Sequence, residues 1–390
     1  MTDAKRDRNR RAALVGVATL TVMSTMAIAP SLPPMARAFA GTPHAELLVK
    51  LTLTIPAIVI AICAPLAGWV IDRYGRLPML YTSMVLYGAA GAAGYFLESL
   101  YGILASRILL GFAIAGAMTT TQTLAGDYFH GEARSRYAAL QSVVMSFGAM
   151  LLVGAGGFIA DFNWRGPFLL YLYGWLLIPF IIKHLDEPTH ASRQHTDLPA
   201  GPFPAGELAA AYLIACFSTI MFYMVAAQLP FLLNERGIQS GLMIGFAVGF
   251  VQLFSAAGSS FYHRVKVGRG FPAVFAAAFV MIGAGYAMIW ASTSYVLVLV
   301  GAMIAGIGVG LFFPNSTLWA LTIAPPALRG RCSGGMSASL NFGQFASPIV
   351  LQPVVAAVGI GGTFGVASAL LFFVAASLAL APRAMALKPR

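Results

Sequence analysis

Asp72, Arg73 and Arg76 stand close together between two long apolar runs, in Gly68-Trp69-Val70-Ile71-Asp72-Arg73-Tyr74-Gly75-Arg76-Leu77-Pro78. A hydrophobic helix leaving lipid needs a polar stop. Here the charges supply it, Gly75 permits a tight reversal and Pro78 suits the start of the next helix. The spacing predicts a hairpin turn at a membrane face. One further charge, Arg107, lies inside an apolar run. Holding an arginine there costs on the order of 3 kcal/mol, so a partner or a watery cavity is expected. Three readings stay open for it: binding an anionic substrate group, tuning a protonatable partner, or snorkelling to the headgroups.

The acids are informative by where they are missing. All 13 Asp and Glu fall in tails, links or run ends, so no carboxylate stands mid-run to carry a proton. Glu46 and Lys50 are four apart and are expected to pair on a helix face. Uncharged polar side chains inside the runs are the better candidates for a substrate cavity. These are Ser24 and Thr25 in the first run, Thr120, Thr121 and Gln122 in the fourth, and Gln141 in the fifth. The second half adds Tyr223 and Gln228 in the seventh, Asn315 in the tenth, and Asn341 and Gln344 in the eleventh. With Met23, Met26, Phe222 and Trp319 nearby they suit a soft, mainly apolar pocket for amphipathic molecules. Each one taken singly also reads as a helix-packing hydrogen bond.

No paired catalytic carboxylates, nucleophile elbow, phosphate loop or metal cluster stands in the runs, so no catalytic residue, cofactor or metal ligand is expected. Cys63, Cys216 and Cys332 have no motif spacing and read as small core residues. His184, His190 and His195 are irregularly spaced and read as part of a solvated linker.

Positioning these residues requires a membrane. Hydrophobic residues make up 59% of the chain and charged residues 9%, a balance that a soluble domain with a charged surface does not show. Twelve runs are each long enough to span: about 12–39, 47–71, 78–97, 100–124, 138–160, 167–182, 208–233, 242–261, 271–291, 296–320, 333–358 and 364–380. The net charge of +11 would suggest nucleic acid in a soluble protein. Here the basic residues lie in short links, which is how helical membrane proteins set orientation, so no nucleic-acid partner is expected. The tails and alternate links carry 19 Lys and Arg, whereas the opposite links carry Arg37, Lys50, Arg165 and Arg236. That split predicts both termini, and the opening hairpin, in the cytoplasm.

A proline-rich polar link follows the sixth run and predicts six-helix bundles over 1–183 and 208–390, joined by a cytoplasmic linker over 184–207. The halves repeat weakly. Arg134-Ser135-Arg136 and Arg329-Gly330-Arg331 are each followed, at equal spacing, by Phe147-Gly148 and Phe342-Gly343. Gly75-Arg76 is echoed by Gly268-Arg269, without the aspartate.

Several of these stretches resemble the major facilitator superfamily of secondary transporters. Gly68, Asp72, Arg73, Gly75 and Arg76 match its first cytoplasmic signature. Arg107 with Gly111 and Gly116 looks like its R-x-x-x-G signature, and Asp127 to Arg134 resembles the link that follows. Gly156-Gly157, Trp164-Arg165 and Phe168 resemble the drug and proton antiporter branch, although Leu152 and Val153 stand where that branch usually has Gly-Pro. The resemblance implies an all-α fold of two pseudo-symmetric six-helix bundles, with a substrate site between them near mid-membrane. It implies that Asp72 meets the start of the eleventh helix near Cys332 to Gly335, and that Arg76 bridges to Asp127, forming a cytoplasmic latch. The bland alternative is solvated turn charges. The function implied is proton-coupled efflux of a small amphipathic molecule by alternating access, from a monomer in a bacterial cytoplasmic membrane. The alternative is a carrier of an organic acid or other anionic metabolite.

Overall fold

The computed structural model describes residues 3–188, 204–325 and 328–380. His190, His195, most of the expected linker and the basic C-terminal tail lie outside the described residues. Among the described residues every regular element is a helix. This is the expected outcome for apolar chain in lipid, where a helix satisfies each backbone N–H and C=O within its own segment.

The first run is not one helix. It forms α1 (Asp3–Met26), a 3-10 turn at Ala29–Ser31 and a short α2 (Leu32–Ala38). Pro30 and Pro33 each stand near the start of the piece that follows the break, where a missing N–H costs nothing. The next four spans are α3 (Ala45–Tyr74), α4 (Arg76–Phe96), α5 (Leu100–Tyr128) and α6 (Gly131–Phe162). The sixth opens as a 3-10 stretch, Gly166–Leu172, and continues as α7 (Tyr173–His184).

The second half comprises α8 (Ala205–Glu235), α9 (Gly241–Lys266), α10 (Phe271–Ala291), α11 (Tyr295–Ile323) and α12 (Arg329–Leu380). α12 carries the eleventh and twelfth spans in one run, broken only at Gly359, whose φ of 73° and ψ of 173° suit glycine alone. Twelve spans result. The internal repeat is plain in the elements: α4 and α10 are both 21 residues long, α5 and α11 both 29, and each pair is displaced by 195 positions.

The chain divides into two compact units. One holds residues 1–195 together with 240–245, which are Ser240 and the first residues of α9. The other holds the remainder. In the first, α3 packs on α5 and α4 on α5; in the second, α10 packs on α11 and α12, and α12 on α8. Small residues permit these approaches, since helices in lipid associate through close van der Waals contact. In α4, Gly88, Gly91 and Gly94 receive the rings of Trp175, Tyr171 and Phe168.

Candidate functional site

In the first unit the basic hairpin is tighter than its spelling suggests. Gly75 alone joins α3 to α4, with φ 97° and ψ 167°. Arg76 donates from Nε to Asp127 at 3.1 Å, and both side chains are mostly shielded. Asp72 and Arg73 are exposed. Gly68 faces open space.

The start of the link after α7 belongs to the same assembly: Asp186 and Glu187 are exposed, as a solvated linker implies, and yet are held by specific bonds. The Glu187 carboxylate accepts backbone N–H bonds from Arg76 and Leu77, each at 2.7 Å, and so caps α4. Asp186 accepts from Arg6 at 2.7 Å and Arg10 at 2.9 Å. The hydrogen bond from Arg6, more than any other influence, holds the Asp186 carboxyl below its ordinary range, with that from Arg10 adding to it. The Tyr128 hydroxyl bonds the Asp186 carbonyl oxygen and accepts its N–H. Arg10 lies 4.3 Å over the Tyr128 ring. Two acids directly after an apolar run, with a basic tail elsewhere in the same half, are the signal that sequence reading passed over.

Arg107 neither snorkels nor stands in open space: it is fully buried. One terminal nitrogen donates to the carbonyls of Ala90 at 3.0 Å and Gly91 at 2.7 Å. The guanidinium lies 4.9 Å over both Phe168 and Tyr171. Its Nη1 has no hydrogen-bond partner among the described residues. Desolvated cation–π contacts of this kind contribute on the order of 2 kcal/mol each and offset part of the burial cost. Tyr171 also donates to the carbonyl of Ser24, and Tyr87, its ring tilted against that of Tyr171 at 5.6 Å, donates to that of Leu20. Arg107 is thereby connected to α1 one turn before its break. Tyr87, Tyr171 and the glycine stripe that admits the rings were not singled out from sequence. Their signal was the period-three spacing of Gly88, Gly91 and Gly94.

The remaining candidates separate by their partners. Ser24 bonds back to the Thr21 carbonyl and Thr121 to that of Ala117, so both hydroxyls are used within their own helices. Thr25 lies in α1, but its side chain is outside the described residues. Gln122 is exposed and Gln141 half-buried. Thr120 is fully buried with its hydroxyl unpartnered. Lys50 and Glu46 pair at 2.5 Å, as expected, although Lys50 is also fully buried.

In the second unit Asn315 is a packing residue: it donates to the Phe271 carbonyl at 3.1 Å and accepts from Tyr262 at 3.2 Å. Trp319 stacks on Phe271 at 5.8 Å. Asn341 bonds back to the Ser337 carbonyl. Tyr223 is buried, in a ring cluster with Phe222, Phe312 and Phe313. Gln228 is fully buried, and neither of its amide atoms nor the buried Gln344 amide nitrogen has a partner among the described residues. Such groups normally find partners, because an unmade bond costs about 1–3 kcal/mol. Thr120, Gln228 and Gln344 are therefore departures from that rule among the described residues.

Twelve apolar spans, the duplicated helices and the hairpin with its Arg76–Asp127 pair form one pattern, and the profile of the Major Facilitator Superfamily matches residues 14–348. The chain belongs to the Major Facilitator Superfamily. It is an integral membrane protein and a transporter of small molecules. Across the superfamily it is similar to the bacillibactin exporter of Bacillus subtilis (strain 168), at 25% identity over 363 residues and 88% of each chain. It is also similar to the class C tetracycline resistance protein of Escherichia coli, at 23% identity, covering 90% of this chain and 91% of that one. Among solved superfamily structures, a bacterial homolog of the human lysosomal transporter Spinster shares the fold, with a TM-score of 0.77 at 15% identity over 96% of each chain.

Proposed function

We propose that the chain is a proton-coupled exporter of small amphipathic molecules. It acts as a monomer in a bacterial cytoplasmic membrane, with both termini in the cytoplasm. The observation that carries this reading is near-full-length similarity to the bacillibactin exporter of Bacillus subtilis and the class C tetracycline resistance protein of Escherichia coli. The interior chemistry fits it. Thr120 in the first unit, and Gln228 and Gln344 in the second, each keep a buried polar atom without a partner among the described residues, which suits binding a ligand that is mostly apolar with a few polar groups. Proton coupling here rests on family resemblance, and the acids at the helix ends or the substrate itself carry the proton. The distribution of Lys and Arg supports the orientation.

Everted vesicles test this reading. Amphipathic dyes and catechols are expected to accumulate when respiration acidifies the lumen, and a protonophore is expected to abolish the uptake. Uptake equal to that of vesicles lacking the protein would refute it. Gln228→Leu removes two unpartnered polar atoms, so it is expected to melt higher yet transport at least tenfold less. A second reading, an organic-acid carrier, is favoured by the unpartnered Nη1 of Arg107. It predicts uptake of aromatic acids that Arg107→Ala abolishes while dye uptake stays absent.

A further inference from the structure

We propose that a groove on the outer face of the first unit, between α3, α4 and α5, holds one anionic phospholipid. One of its two acyl chains lies in the groove and its phosphate on Arg73. The cavity has a volume of about 300 Å³ and is lined by Cys63, Leu66 and Val70 of α3, Met79 and Thr82 of α4, and Phe112 of α5, among others. That is the low end of the range for small-molecule sites. Its lining is almost wholly apolar, and the Thr82 hydroxyl is already bonded to the carbonyls of Pro78 and Met79. Ser83 is the one other hydroxyl side chain in the lining. Leu66 and Phe112 are exposed, so in a membrane the groove opens sideways to lipid.

The helical period continues this wall onto a cation. At 3.6 residues per turn, Arg73 falls about 20° from Leu66 and two turns below it, whereas Asp72 points about 160° from Val70 on the other side. Arg73 is exposed and makes no ion pair among the described residues. Its guanidinium lies 5.7 Å from the rings of Trp69 and Tyr74, which are 58% and 62% exposed. Exposed tryptophan and tyrosine beside an arginine are the composition of a headgroup zone. From Arg73 to Cys63 is ten residues, about 15 Å along the helix, or half the thickness of the hydrocarbon core. A lipid whose phosphate meets Arg73 thus reaches mid-bilayer at the end of the groove. Charge complementarity selects an anionic headgroup over a zwitterionic one.

Native mass spectrometry of the purified full chain, with added phosphatidylglycerol or phosphatidylcholine, tests the assignment. One phosphatidylglycerol is expected to be retained at least fivefold over phosphatidylcholine. Arg73→Gln should bring the two lipids level, and Thr82→Phe, which fills the groove from its exposed rim, should lower retention of both at least fivefold. An unchanged preference in Arg73→Gln, or unchanged retention in Thr82→Phe, overturns the proposal. Cys63 gives a readout in the unaltered chain, because it lies in the groove wall at 8% exposure. A lipid-soluble maleimide should label it at least threefold more slowly in phosphatidylglycerol than in phosphatidylcholine. Equal rates also overturn it.

Discussion

Two signature glycines in one motif do different work. Gly75 holds a positive φ, and a Cβ there would meet the Glu187 carboxylate at 3.2 Å. Gly68 is helical, and a Cβ would meet nothing within 4 Å. Gly75→Ala should therefore cost about 1–3 kcal/mol, from strained backbone and a disturbed cap on α4. Gly68→Ala should instead stabilise by about 0.5–1 kcal/mol, since alanine favours a helix interior. Thermal unfolding of the two variants in the same detergent checks this, and equal melting temperatures would refute it. Arg107 makes the complementary point: of the partner or watery cavity expected for it, the structure supplies partners, two carbonyls and two ring faces.

Among the elements, the link after α7 does more than connect. It caps α4 through Glu187 and ties α1 to the end of α5 through Asp186 and Tyr128. The pH dependence follows from Asp186. Its carboxyl is held below the ordinary 3.8 in the folded chain. The contribution of its ion pairs is therefore complete above that value and is lost as pH falls through the lower folded one. The pairs are exposed, so the effect is small and weakens with salt. The difference in melting temperature between the unaltered chain and Asp186→Asn should be constant from pH 7 to 5 and shrink as pH falls below 3.8. A gap that persists in acid would show that the ionised carboxylate is not the group responsible.

At the scale of the whole molecule, two units repeat one helical plan at a displacement of 195 residues, and similarity to known transporters runs nearly end to end. An even number of spans with basic tails predicts both ends on one side of the membrane. A fluorescent protein fused after Arg390 should fold and fluoresce, while alkaline phosphatase at the same place should be inactive. The same pair of fusions after Asn163, in the opposite link, should give the reverse. Matching behaviour at the two positions would refute the topology.

Sequence by itself determined the twelve spans, the duplicated plan and the basic hairpin. Each rests on local signals: apolar length, charge in links, and glycine or proline at turns. The Glu46–Lys50 pair was legible for the same reason, being one helical turn apart. What only tertiary structure decided depends on neighbours distant in the chain. Asn315 turns out to be hydrogen-bonded and Trp319 stacked on Phe271, while Gln228 and Thr120 have no partner among the described residues, a distinction that residue type alone does not carry. The break in α1 follows its prolines, but the tethering of α1 by Tyr87 and Tyr171 follows from which ring fits which glycine. Burial and hydrogen bonding are properties of pairs brought together by folding, and so the chain spells its spans more openly than its site.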